Sequence, residues 1–110
     1  MKEDLYGVCP FVTVQKILQG KWAILILHYL SRGTIRFNQL LKMMPEITHT
    51  TLSKQLKQLE LYDLVERKEY PQVPPKVEYS LTEKGKDFLP VLDEIKVFGE
   101  KYIKYINTDK

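Results

Sequence analysis

This 110-residue sequence has little of what most active sites are made from: one cysteine, two histidines, one tryptophan and five glycines. One cysteine excludes a disulfide within the chain, in keeping with a reducing cytoplasm. His28, His49 and Cys9 stand far apart on different segments, a poor ligand set, so neither a metal nor a cofactor is expected. Glycines at 7, 20, 33, 85 and 99 are too scattered to cradle a phosphate. The longest apolar run, WAILILHYL (Trp22 to Leu30), is nine residues, against the roughly 20 that cross a bilayer. The opening MKEDLYGV carries acids early and lacks the apolar centre of a signal peptide. What remains is a single cytoplasmic domain with one modest core, with no membrane partner and no signature of an enzyme.

What is present is an uneven distribution of charge. The net charge is only +3, yet residues 31–60 hold five cations (Arg32, Arg36, Lys42, Lys54, Lys57) against Glu46 and Glu60. Residues 61–80 carry three cations against four acids, and residues 81–110 six against six. The positive excess therefore lies in one quarter of the chain. That pattern suits either a solvated helix face or a surface for a polyanion.

Periodicity divides the chain into elements. Pro10 suits a helix start, and Phe11, Val14, Ile17 and Leu18 follow at helical spacing, predicting a helix over 9–19. Lys21 to Ser31 is apolar nearly all round and is expected to be the buried centre, with Trp22 in the core and His28 in the core or at a dimer face. Thr34-Ile35-Arg36 is long enough only for a stub of strand. Phe37, Leu40, Leu41 and Met44 then mark a short helix that Pro45 stops. After it, Thr48 is a good N-cap, and Leu52, Leu56 and Leu59 fall within about 60° of one another on one side. The other side collects Thr50, Ser53, Lys54 and Lys57, with no acid between Thr48 and Gln58. Two helices joined by a tight turn, the second with a hydroxyl- and lysine-bearing outer face, meet the needs of a helix-turn-helix. The second helix would enter the major groove.

The stretch 64–81 reads as a hairpin. LVERKEY and KVEYSL are strand-like, with Val77, Tyr79 and Leu81 pointing inward. Pro71, Pro74 and Pro75 fall in the loop between them, where no ladder hydrogen bond is lost and no donor is left to recruit a foreign strand. A hairpin after a helix-turn-helix is a wing. Arg67 and Lys68 on its rising strand, with Gln72 and Lys76 at its end, are candidates to reach the phosphate backbone. A proline-capped turn with no partner is the plainer alternative. From Thr82 a helix is expected over 82–106, punctuated by Gly85 and Pro90, the latter a kink or a junction of two helices. Its stripe of Leu92, Ile95, Phe98, Tyr102, Ile103 and Ile106, with Gly99 among them, wants a partner because the domain ahead of it already has a core; folding back on that domain is the alternative. With Phe11 and Val14 of the first helix the stripe most simply forms a two-fold dimer. The fold class is therefore mainly α with a small β-hairpin: one winged helix-turn-helix domain over 1–110, with a helical core over 21–63 and terminal dimerisation helices.

The residues CP at 9–10, GKW at 20–22, LVERKEYPQVPPKVEYSLTEKG at 64–85 and FGEKY at 98–102 resemble the HxlR-type regulators, a branch related in shape to MarR regulators. The resemblance covers about residues 9–105, and YPQVPPKVEYSLT is its most specific run. It implies a homodimeric bacterial or archaeal transcription factor that binds double-stranded operator DNA. The helix matching Thr48 to Tyr62 would be the recognition helix, and the residue matching Arg36 would lie near phosphate. Two departures stand out. Asp63 occupies a position that is usually glycine, and it is expected to adopt a positive φ. His49 and Thr50 replace the glutamine and arginine often found early in the recognition helix, which leaves more of the affinity to Lys54 and Lys57 and makes binding salt-sensitive.

Cys9, at a helix start, would have its thiolate favoured by the helix dipole. Some relatives resemble redox sensors that use a cysteine at this place, and any disulfide here would join two molecules. A packing thiol is the alternative. For the whole chain, the rival to DNA binding is a winged-helix protein-interaction module. Such a module would expose apolar side chains, not lysines and hydroxyls, on the helix from Thr48.

Overall fold

A computed structural model of the protein describes residues 4–108. The order of elements is α1 (Pro10–Ile17), α2 (Ala23–Leu30), β1 (Ile35–Arg36), α3 (Phe37–Met43), α4 (His49–Leu61), β2 (Val65–Tyr70), β3 (Lys76–Leu81), α5 (Glu83–Lys86) and α6 (Leu89–Thr108). This is a mainly helical chain with a small antiparallel sheet. The hairpin gains a third strand, because the stub at Ile35–Arg36 pairs with β3 in the order β1-β3-β2. The register sets Ile35 and Arg67 on either side of Tyr79, and Arg36 and Lys68 on either side of Glu78.

The core forms where the apolar faces of α2, α3, α4 and the sheet meet. Ala23, Ile26, Leu27 and Leu30 of α2 pack with Leu40, Leu52, Leu56, Leu59, Val65, Tyr79 and Leu81. Fully removing a Leu or Ile side chain from water is worth about 1.5–3 kcal/mol, so this cluster supplies most of the driving force. Helix α2 departs from the expectation of all-round burial. Its Ile24 and His28 face outward, and Trp22 is half-buried just ahead of the helix. A short helix against a thin sheet has only one neighbour layer, so its far side stays open.

Two glycines are needed where elements come closest. Gly20 has φ +101°, and a Cβ there would collide with the Gln55 side chain. Gln55, buried on α4, donates from Nε2 to the carbonyl of Gln19 at 2.8 Å and so ties the start of α2 to α4. Gly85 lies against the carbonyl of Leu64, leaving no space for a methyl group. Asp63, between α4 and β2, has φ 61°, as the departure from glycine at this position implied. Its carbonyl accepts from Thr82 Oγ1 at 2.6 Å, while Thr82 caps α5 by accepting from Gly85 N at 3.0 Å. The expected helix over 82–106 is thus two: α5 ends at Lys86, and Pro90 sits in the first turn of α6, where its missing N–H costs nothing. Among the described residues, no helix is long and apolar enough to cross a membrane.

Candidate nucleic-acid interface

Thr48 begins α4 as its composition implied. Its backbone is extended, and Oγ1 accepts from Thr51 N at 3.1 Å, satisfying one of the helix's unpaired amides. Burial of Leu52, Gln55, Leu56 and Leu59 then fixes the rotation of the helix and turns two polar faces outward. One carries His49, Ser53, Lys57 and Glu60, spaced by four, four and three, and it lines a cleft of about 1090 Å³. The other carries the exposed Thr50 and Lys54.

The cleft runs between the helix-turn-helix and the wing. One wall comprises Arg36 of β1 with Asn38, Gln39 and Lys42 of α3, and the wing wall comprises Arg67, Tyr79, Lys76, Pro74 and Pro75. Aromatic rings form the floor: Phe37 lies 4.8 Å from His49 and 6.3 Å from Tyr79, centroid to centroid. Burial pushes the Tyr79 phenol above the usual tyrosine range, with the neighbouring Arg67 guanidinium opposing the rise. Tyr79 presents its hydroxyl beside five cations, Arg36, Lys42, Lys57, Arg67 and Lys76, each on a different element.

The cations are not equally free. On the wing, Arg67 pairs with Glu69 at 3.2 Å and Lys76 with Glu78 at 3.4 Å. Lys76 also lies 4.4 Å from the centre of the Tyr70 ring, and Tyr70 donates its hydroxyl to Glu78 at 3.1 Å. Lys68 stacks over the same ring at 5.1 Å. Among the described residues, Arg36, Lys42, Lys54 and Lys57 have no carboxylate within ion-pair distance. The cations of the helix-turn-helix are thus uncommitted, while on the wing Arg67 and Lys76 are balanced by acids and Lys68, without a carboxylate partner among the described residues, rests on the Tyr70 ring. Exposed pairs of that kind are worth only about 0–1 kcal/mol, so a phosphate can exchange for the carboxylate.

Of the residues singled out from the sequence, Arg36, His49, Ser53, Lys57, Arg67 and Lys76 come together in the cleft. Thr50 and Lys54 flank it on α4, Thr48 is used as the cap, Gln72 is exposed at the wing tip and Lys68 lies on the opposite face of the sheet from Arg67. Sequence reasoning passed over Asn38, Gln39, Lys42, Glu60 and Tyr79. The helical period of α3 offered a signal for the first three, since its apolar residues leave 38, 39 and 42 on the outside. Tyr79 was read only as an inward strand residue.

The remaining residues singled out lie far from the cleft. Cys9 is half-buried as the N-cap residue of α1, its carbonyl accepting from Thr13 N at 2.9 Å. Phe11 is 84% exposed and Phe98 65%, with Val14, Tyr102 and Ile106 also exposed. Leu92 and Ile95 are half-buried, as is Gly99, where an added Cβ would meet open space. No residue of the 20-residue α6 is buried.

A recognition-type helix after a tight turn, followed by a hairpin that closes a cationic cleft, defines a winged helix-turn-helix protein. Residues 17–107 match the family described as HxlR-like helix-turn-helix. The chain is 50% identical over 93 residues to an uncharacterised HTH-type transcriptional regulator, BH0655, of Halalkalibacterium halodurans, covering 84% of this chain and 82% of that protein. It is 42% identical over 102 residues to an uncharacterised HTH-type transcriptional regulator of the archaeon Methanothermobacter thermautotrophicus, covering 93% and 77%. Among solved structures, the redox regulator HypR in its reduced form superposes with a TM-score of 0.85 at 36% identity, covering 91% of this chain and 99% of that one. The chain belongs to the HxlR-like helix-turn-helix family, a family of DNA-binding transcriptional regulators and not of enzymes.

Proposed function

We propose that this protein acts in the cytoplasm as a homodimer on double-stranded operator DNA, with α4 in the major groove and the wing along the adjoining backbone. The observation that carries this reading is the cleft itself: five cations from β1, α3, α4 and the wing converge beside the unpaired Lys54. Thr50 and His49 stand at the base-reading end of α4, and Lys54, Lys57, Arg36, Arg67 and Lys76 serve phosphates. Lys68 and Gln72 extend the same contact along the wing. The rival reading as a protein-interaction module finds little support on α4, whose outer faces carry His49, hydroxyls, lysines and Glu60, with Leu61 at the last turn as the exposed apolar side chain.

The case for pairing rests on α6 and α1. Phe98, Tyr102, Ile103 and Ile106 leave an apolar stripe in water along a helix about 30 Å long, alongside Phe11 and Val14. A second copy covers such a stripe by an isologous contact. Gel retardation of the DNA upstream of the protein's own gene tests the DNA assignment. Lys54→Ala with Lys57→Ala abolishes the shift at physiological salt, whereas full affinity in that variant removes the assignment. In sedimentation, Phe98→Glu gives a monomer, and an unchanged dimer would reject the proposed interface.

Similarity to a redox regulator supports a further role for Cys9 as a thiol sensor. Oxidation by diamide, which takes up two electrons and two protons, would join the Cys9 sulfurs of two molecules. The oxidised protein would then run as a covalent dimer on a non-reducing gel and change its DNA affinity. Cys9→Ser would retain DNA binding and lose the response.

A further inference from the structure

The cleft that carries the proposed DNA contact contains one acid. Among the described residues, Glu60 is the only carboxylate that lines it, on the same face of α4 as His49, Ser53 and Lys57. It is exposed, and among the described residues it has no cation within ion-pair distance. The other two carboxylates nearby, Glu69 and Glu78, are each engaged with a wing cation. Glu60 lies eleven helical steps beyond His49, placing it about 16 Å along the cleft, at the end nearest the base of the wing. Its field reaches Tyr79, which lines the same end. Nothing in the fold uses this side chain: it caps no helix and makes no side-chain hydrogen bond among the described residues.

We infer that Glu60 is a specificity-determining residue that discriminates by repulsion: it bars a phosphate from the inner end of the cleft and so penalises wrong registers on DNA. This inference rests on the DNA-binding reading above. On unrelated sequence the protein is held by Coulomb attraction alone and samples many registers, including those that bring a phosphate against Glu60. On a matched sequence, base contacts fix one register, and the carboxylate faces a groove edge, where a cytosine amine is a suitable donor. Like charges brought together suppress wrong partners more than they weaken the right one.

The test compares two duplexes: the tightest one recovered by selection from a randomised library, and a scrambled duplex of the same composition. Glu60→Gln keeps the shape of the side chain and removes its charge. Glu94→Gln, an equal change of net charge on exposed α6, serves as the control. Fluorescence anisotropy is expected to show Glu60→Gln raising affinity for the scrambled duplex roughly three- to ten-fold while affinity for the selected duplex stays level or falls. Glu94→Gln leaves the ratio of the two affinities where the wild type has it. Equal gains on both duplexes, or a ratio matching that of the control, would overturn the assignment to Glu60. A wild-type protein that bound neither duplex would overturn the DNA-binding reading instead, so the two failures are distinguishable.

Discussion

Removing the two unpaired lysines of α4 perturbs the proposed interface most directly. Lys54 and Lys57 have no carboxylate partner among the described residues, so each can replace a condensed counterion on DNA without first leaving an acid. Each phosphate contact contributes about −0.9 to the slope of log K against log salt, so losing two contacts in each of two subunits makes the slope shallower by about 3.6. Between about 50 and 200 mM salt, that difference amounts to about two decades of affinity. The assay is a titration of a labelled selected duplex by anisotropy across that range for the wild type and the Lys54→Ala/Lys57→Ala variant. Neither side chain supports the core, so thermal unfolding of the variant should match the wild type. By contrast, Lys76→Ala on the wing should change the slope by less, because Glu78 already balances it. Parallel lines for the wild type and the α4 double variant would refute the assignment of free charge to α4. An equal effect from Lys76→Ala would refute the distinction between committed and uncommitted cations.

Three further predictions concern stability. Gly85→Ala forces a methyl group into the Leu64 carbonyl, which is backbone and cannot yield, and should cost about 3 kcal/mol in urea unfolding. Asp63→Gly relieves the left-handed backbone at φ 61° and loses only an exposed pair with Lys84, so it should stabilise by about 0.5–1 kcal/mol in the same measurement. Tyr79 binds its proton more tightly folded than unfolded. Above the ordinary tyrosine pKa of about 10 the unfolded chain releases that proton first, so stability falls as pH rises through this window. Tyr79→Phe should flatten that part of the alkaline unfolding curve.

Much of the fold was legible because its signals are local. Thr48 as a cap, the leucine face of α4 and the inward Tyr79 and Leu81 each depend on residues a few positions away, whereas the positive φ at Asp63 was legible only through the resemblance to proteins with glycine there. The Pro71–Pro75 loop was legible for the same reason: five residues between two alternating runs leave little room for anything but a turn. The exposure of Ile24 was misjudged because an apolar segment announces burial without saying how many neighbours it will have. The split at α5 was open for a related reason, since proline at 90 suits a kink or a first turn equally well by sequence.

By itself the sequence determined the periodicities, the caps, the turn positions and the concentration of cations between 31 and 60, because these arise from chain neighbours one to four residues apart. Only the tertiary structure decided that Lys57 and Glu60 line the cleft beside the wing while Lys54 flanks it. It also decided that Arg67 and Lys76 are held by acids on their own strands and that Lys42 of α3 shares a cleft with Tyr79. Those outcomes depend on the angle at which α4 meets the sheet. Pairing of Ile35 with Tyr79, 44 positions apart, and the Gln55 tether to Gln19 help set that angle, and no local pattern encodes it.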